Sequence, residues 1–129
     1  MTQDRKVRKP VKEHILDVAS QLFYQHGLNA VGVDTIIEEA GVAKMSLYRN
    51  YKTKTDLIVA YLERRDTQLK EWFGERFEHY QKKNPDKILA IFDALNEWIE
   101  GPDFRGCAFI NSAVETADPN HPAFEISRR

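Results

Sequence analysis

Residues Lys44 to Lys52 concentrate side chains that donate hydrogen bonds and carry positive charge. The segment reads K-M-S-L-Y-R-N-Y-K, and Leu47 is its only strongly apolar residue. Ammonium, guanidinium, hydroxyl and amide groups hydrogen-bond to phosphates and to the edges of nucleic-acid bases. A helix that buries so little and presents these groups outward requires an external partner or has a purely solvated role.

The residues before this segment predict how it is positioned. A single apolar helical face is formed by Val33, Ile36, Ile37 and Ala40. Gly41 follows, the residue type that most easily leaves a helix in the left-handed conformation, and Val42 is expected to be buried. Residues 32–51 are therefore predicted to form two short helices about a tight turn. Helix-turn-helix modules place the second such helix in the major groove of DNA.

The overall charge hides an uneven distribution. The 129 residues have a net charge of -1 and are 42% hydrophobic, which suits one ordinary domain. Residues 1–54 contain nine Lys or Arg and six Asp or Glu, a balance of +3, whereas residues 55–129 contain ten and fourteen, a balance of -4. The positive half holds the turn motif and a basic cluster: Arg5, Lys6, Arg8, Lys9 and Lys12. This cluster is predicted to meet phosphate, and a solubilising tail is the alternative.

Several other classes of protein are not indicated. A single cysteine excludes an internal disulfide, and no apolar run is long enough for a membrane span, so a cytoplasmic protein without membrane association is expected. An enzyme is not predicted, because the histidines are scattered and no catalytic set shares a helical face. Metal-ligand spacing is absent, and no cofactor is expected.

Helical periodicity extends over the rest of the chain and predicts an all-α fold. The first helix is expected over residues 10–26, and a capping sequence at Thr53 to Asp56 opens a long amphipathic helix. Asn84-Pro85 is predicted to begin the next helix, with further helices over residues 106–117 and from Pro122. No stop signal follows the last pattern, so part of the natural C-terminal half is expected to be absent; a compact five- or six-helix protein is the alternative.

The spacing of the motifs resembles that of the TetR family of bacterial transcriptional repressors. The shared positions are Gly27-Leu28, Val33, Ile36, Ala40-Gly41-Val42, Ser46-Leu47-Tyr48 and Lys54-Thr55-Asp56-Leu57. A weaker resemblance, to the ligand-binding half of one branch, lies at Phe104 to Glu115. The family implies a DNA-binding head over residues 1–54, followed by a connecting helix and a partial regulatory and dimerisation domain over residues 55–129.

The resemblance also implies a function. A homodimer would repress transcription from a palindromic double-stranded operator and be released by a small-molecule inducer. A helical protein-protein interaction module without DNA binding is the alternative.

Residue roles are carried over at matching positions. The predicted DNA contacts are Lys44, Met45, Ser46, Tyr48, Arg49, Asn50, Tyr51, Lys52 and Lys54. Tyr48 as a core aromatic, and the lysines as solvated surface residues, are the alternatives. Gly32 and Ala43 depart from the family pattern, because both stand where a capping hydroxyl is usual.

Two further predictions concern the C-terminal half. Phe77, Phe92, Trp98 and Phe109 are candidates for lining an inducer cavity, although helical spacing alone favours ordinary core aromatics. Cys107, at the expected start of a helix and next to Arg105, is a candidate redox-sensing thiolate or a small packing residue.

Overall fold

The structure is a computed structural model that describes residues 8–129, and over that range all regular structure is helical. The seven helices are α1 (Val11–His26), α2 (Val33–Ala40), α3 (Lys44–Asn50), α4 (Lys54–Lys83), α5 (Lys87–Ile99), α6 (Ala108–Thr116) and α7 (Pro122–Arg128). The all-α prediction is confirmed. No helix within these residues is long and apolar enough to cross a membrane.

The first three helices and the start of α4 share one core. Its largest fully buried side chains come from all four helices: Ile15, Ile36, Leu47, Leu57 and Leu62. The helix α1 packs against α2, α3 and α4 and is therefore the centre of this head. The predicted apolar spacing in each segment corresponds to the buried face, which is why sequence periodicity located these helices correctly.

The turn between α2 and α3 is held from both sides. Gly41 has a φ of 65°, and its N–H donates to the Ile37 carbonyl at 3.0 Å. Nε2 of His14 donates to the Ala40 carbonyl at 2.8 Å, so α1 supplies a partner for a helix-end carbonyl. Val42 packs against the core but is only half-buried, which corrects the expectation of full burial.

The helix α4 leaves the head and forms the axis of the second half. Its buried residues Leu57, Ile58, Tyr61 and Leu62 lie in its first turns, and later apolar residues such as Trp72 and Phe77 are half-buried. The helices α5 and α7 pack on α4, and α6 packs mainly on α7.

The N-cap of α5 is Asp86, whose Oδ1 accepts from Ile88 N–H at 2.9 Å. Asn84 instead ends α4 and accepts from Asp86 N–H at 3.1 Å, which corrects the predicted start of α5.

Most of the large apolar side chains of α5 and α6 are exposed. Only Ala90 and Ala94 of α5 are buried, whereas Ile88, Phe92 and Ile99 are exposed. The same holds for Ile110 and Val114 of α6. Most of the large apolar side chains that were predicted to be buried are therefore exposed in the described residues, whereas Trp98 packs against Phe104 and Phe109 packs against the core.

The head and the second half meet at the end of α1. The Tyr24 hydroxyl donates to the Gly106 carbonyl and accepts from Arg105 N–H, each at 2.9 Å. Oε2 of Glu115 accepts from Leu28 N–H at 2.6 Å. The α5–α6 connection and the end of α6 are thus bonded to the last turn of α1 and the residues after it.

Candidate nucleic-acid interface

The helix α3 is attached to the head by one side chain and is open on its other faces. Leu47 is its only buried residue, at 1% exposure. Lys44 and Arg49 are exposed, Met45 is 64% exposed and Tyr48 is 39% exposed. This exposure argues against Tyr48 as a core aromatic and against Met45 as a core residue. The outer face of α3 combines two cations, a phenol and a thioether.

Ser46 and Asn50 occupy the flank of the same helix and are half-buried. Nδ2 of Asn50 donates to the Ser46 carbonyl at 2.7 Å, one helical turn earlier. This bond orients the Asn50 amide but uses one of its donors. The Ser46 hydroxyl keeps its hydrogen-bonding capacity at the edge of the open face.

Tyr51 belongs to the core and not to the open face. It is 6% exposed, and its hydroxyl donates to the Lys12 carbonyl at 3.1 Å. The Lys12 Nζ lies 5.6 Å from the ring centroid, and burial raises the pKa of the Tyr51 phenol. This placement corrects the prediction of Tyr51 as a direct DNA contact, because its ring and hydroxyl instead hold the end of α3 against α1.

The start of α4 extends the positive surface. Lys52 is exposed, and Lys54 is the half-buried first residue of α4. The preceding Thr53 is the N-cap, and its Oγ1 accepts from Asp56 N–H at 3.1 Å, as the capping sequence predicts. Between Ala40 and Thr55 the sequence has four Lys or Arg and no acidic residue. The exposed end of the head is therefore locally cationic although the whole chain is not.

Two helices at this surface lack side-chain caps. Gly32 is the N-cap of α2 and Ala43 the N-cap of α3, both with extended backbone and neither with a capping side-chain bond. A Cβ added at Gly32 would meet no atom within 4 Å. The family-typical hydroxyl is thus absent at both positions although space exists for it at Gly32.

The basic N-terminal cluster is partly bonded into the fold. Asp17 accepts from both Lys9 and Arg64, which ties the residue before α1 to α4. Burial alone would raise the pKa of the Asp17 carboxyl, but the hydrogen bonds from Lys9 and Arg64 outweigh it and lower that pKa. Arg8 and Lys12 are exposed. Arg5 and Lys6 lie outside the described residues.

The structure does not bring the four predicted ligand-binding aromatics together. Phe92 is 61% exposed on α5, Phe77 is half-buried on α4, and Phe109 packs against the core that includes the head. Trp98 alone lines a sizeable cavity, with its ring 5.0 Å from that of Phe104. Helical spacing alone does not say which helices face each other, and an inducer contact at these four residues stays a prediction. Cys107 is half-buried and is the N-cap of α6, so either reading of this thiol stays a prediction.

Sequence reasoning missed the residues that orient the interface. Tyr24, His14 and Glu115 are polar positions within amphipathic helices, and each bonds to backbone far away in sequence. No local pattern distinguishes them from solvated side chains. Only Glu115 lies in a segment that resembles the family, and that resemblance implied no role for this residue.

Comparison with known proteins agrees with this geometry. The sequence profile of bacterial regulatory proteins of the tetR family matches residues 15–61. The HTH-type transcriptional repressor NemR of Escherichia coli is 28% identical over 108 residues, which are 83% of this chain and 54% of NemR. The HTH-type transcriptional activator FasR of Mycolicibacterium smegmatis is 36% identical over 75% of this chain and 44% of FasR.

Solved structures show the same architecture. The crystal structure of a TetR-family transcriptional regulator from Streptomyces coelicolor superposes with a TM-score of 0.78 at 32% identity. The superposition covers 92% of this chain and 62% of that one. The chain spans about half the length of the curated relatives it matches. These relatives are regulators and not enzymes. The profile match, the sequence relatives and the shared fold together show that this chain belongs to the TetR family of bacterial regulatory proteins.

Proposed function

We propose that this chain is the DNA-binding part of a transcriptional repressor, with α3 as the recognition helix. The single observation that carries the proposal is the asymmetry of α3. Leu47 anchors it in the core, while its exposed face offers hydrogen-bond donors, positive charge and a thioether. A helix so arranged fits the major groove, which displays acceptors and thymine methyl groups between two rows of phosphates.

The side chains divide into two roles by position. Lys44, Met45 and Ser46 lie at the N-terminal end of α3, where recognition helices contact base edges. Lys can donate to guanine, Ser can bond to several bases, and the Met thioether suits a thymine methyl group. Arg49 and Asn50 lie further along and reach bases or backbone.

Phosphate contacts would come from the rim of the same surface. Tyr48 is exposed, and Lys52 and Lys54 flank the N-terminus of α4. The free N–H groups and the dipole of that helix end attract anions, so Lys54 adds a full charge to a site that is already favourable.

The second half of the chain supports a homodimer. Ile88, Leu89, Phe92, Ile110 and Val114 are large apolar side chains that are exposed on α5 and α6. Large exposed apolar side chains that form a contiguous patch are typical of protein interfaces. Two heads joined through this half would engage two half-sites of a palindromic operator about one helical turn of DNA apart. A small-molecule inducer would act by changing how the two heads are held.

The test uses fluorescence anisotropy of a random 30-base-pair duplex pool, titrated at several salt concentrations. Each phosphate-contacting lysine that is lost should weaken binding and reduce the slope of log K against log salt by about 1. We expect this for Lys52→Ala and Lys54→Ala. Lys70→Ala is the matched control, because Lys70 is an exposed lysine of α4 that lies beyond the head.

Base reading is tested separately, by selecting bound sequences from the same pool. Lys44→Ala should relax the preference at one base position, with a loss on the order of 1–3 kcal/mol in discrimination. The proposal fails if the folded wild-type chain binds duplex no better than the Lys52→Ala Lys54→Ala double variant. Salt-insensitive association with a protein, without duplex binding, would instead favour the interaction-module alternative.

A further inference from the structure

A cavity of about 590 Å³ lies between the second half of α1, the middle of α4 and the connection from α5 to α6. Its walls therefore come from the head and from the second half together. Its volume is in the range of pockets that hold small molecules. None of the roles proposed above for α3 or the exposed face of α5 uses it.

Aromatic side chains form much of the wall. They are Tyr24, Tyr61, Trp72, Trp98 and Phe104. Trp98 and Phe104 meet edge to face, and Tyr61 is buried in the floor. Burial raises the pKa of Tyr61 to about 12, so its phenol stays neutral. Rings in such a pocket stack on or meet the edges of a planar aromatic ligand.

The charged side chains that line the cavity are two arginines of α4, Arg64 and Arg65, and two carboxylates, Glu97 and Asp103. Arg64 is bonded to Asp17 through Nη2, whereas the Arg65 guanidinium lies 4.2 Å over the Tyr24 ring and has no carboxylate partner among residues 8–129. Glu97 also lines the cavity, but its Oε2 already accepts from Arg76 and Tyr80, each at 2.8 Å. The cation without an acidic partner is therefore Arg65.

Unpaired polar atoms lie at the same place. Within the described residues, the buried side-chain atoms without a hydrogen-bond partner are Oγ of Ser20 and Nη1 of Arg64. Both residues line the cavity. Buried polar groups in native proteins nearly always have a partner, which is often a water or a ligand. Two donors that belong to one cavity wall suit a ligand with acceptor oxygens.

We propose that this cavity binds a small planar aromatic carboxylate. The ring would lie among the aromatic side chains, and the carboxylate would accept from Arg65, with Ser20 and Arg64 as further donors. A guanidinium pairs with a carboxylate through two parallel hydrogen bonds, which selects this group over a neutral amide of the same shape. Because α1 contributes to the wall, an occupied cavity contacts the DNA-binding head directly. The proposal goes beyond the proposed function, and binding is measurable without DNA.

The experiment is calorimetric titration of the 129-residue chain with 2-naphthoate and with 2-naphthamide as its neutral isostere. Tryptophan emission is followed in parallel, because the chain has two tryptophans and both line the cavity. The same titration of free tryptophan amide corrects the emission for light that the probe absorbs. We expect naphthoate to bind at least tenfold more tightly than naphthamide and to change the emission.

The variant Arg65→Met keeps the apolar stem and removes the charge. It should reduce naphthoate affinity to that of naphthamide, while Lys70→Met, on the same helix outside the cavity, should leave it unchanged. Circular dichroism establishes that both variants fold, and Ser20→Ala gives a second test through a smaller loss. Equal affinity for the two probes, or equal loss in the Arg65 and Lys70 variants, would overturn the proposal. Since no DNA is present, neither result bears on operator binding.

Discussion

Ala43→Ser should stabilise the head, because it restores a cap that α3 lacks. The N-cap residue has φ -71° and ψ 148°, which is the extended conformation from which a serine hydroxyl accepts from the N–H two or three residues later. Ala43 is exposed, so the hydroxyl needs no rearrangement of the core. Replacing alanine by a capping residue at such a position raises the free energy of unfolding by about 1 kcal/mol.

The size of the effect can be checked inside the same molecule. Thr53 caps α4 through a bond of 3.1 Å from its Oγ1 to Asp56 N–H, so Thr53→Ala should lose about what Ala43→Ser gains. A free-energy change of about 1 kcal/mol corresponds to a shift of roughly 3–6 °C in the melting temperature of a chain of this size. The two variants should therefore shift the melting temperature in opposite directions by similar amounts.

Thermal unfolding followed by circular dichroism measures both shifts. Ala43→Val is the matched control, because it adds a side chain without an acceptor. If Ala43→Ser melts with Ala43→Val while Thr53→Ala loses stability, the reasoning is refuted for α3. The explanation would then be that the Ala43 carbonyl, which already accepts from Ser46 N–H at 3.0 Å, satisfies the helix start sufficiently.

Four further predictions concern packing and charge. Gly27→Ala should destabilise by more than about 1 kcal/mol in urea unfolding, because φ is 89° and the new Cβ would clash with Oε1 of Glu115. At Gly74, in the middle of α4, an added Cβ would meet no atom within 4 Å. Gly74→Ala should therefore stabilise the protein by roughly 0.5–1 kcal/mol, and a loss of stability would contradict this expectation. Leu47→Ala should cost about 2–5 kcal/mol and weaken duplex binding although Leu47 is buried in the core; intact binding in anisotropy would show that α3 needs no anchor. The lowered pKa of Asp17 means that its ion pairs contribute stability above the unfolded carboxyl pKa, and that this contribution is lost as pH falls through the folded pKa. Asp17→Asn should therefore show a smaller fall in stability below about pH 4 than the wild type, and identical acid unfolding curves would argue against the network.

The head could be predicted from the sequence because each of its helices buries a single apolar face. Ile15, Ile36 and Leu47 recur at positions where local period and tertiary burial agree. The left-handed conformation of Gly41 could also be predicted, because glycine adopts a positive φ more readily than other residues do. The exposed polar face of α3 could be predicted in the same way, because side chains that lie off the apolar face of a helix are exposed to solvent.

Tyr51 and Phe92 show where that reasoning stops. An aromatic ring suits both core and surface, so its environment depends on what lies opposite, and Tyr51 is opposite α1. Phe92 follows a good helical period, but the period does not reveal whether another helix covers it. Contacts such as Tyr24 with Gly106 join residues 82 positions apart, and no local pattern encodes them.

Because α3 is attached to the head through one fully buried side chain, natural selection for recognition and natural selection for stability act on different residues of this helix. Under the proposed function, changes at Lys44, Met45 or Arg49 would alter what the helix recognises and leave the folded state almost untouched, since exposed substitutions usually change stability by less than about 0.5 kcal/mol. Changes at Leu47 do the reverse. A lineage could therefore acquire a new operator through successive single substitutions, each of which leaves a folded protein, so the evolvability of recognition is a consequence of how little of α3 is buried.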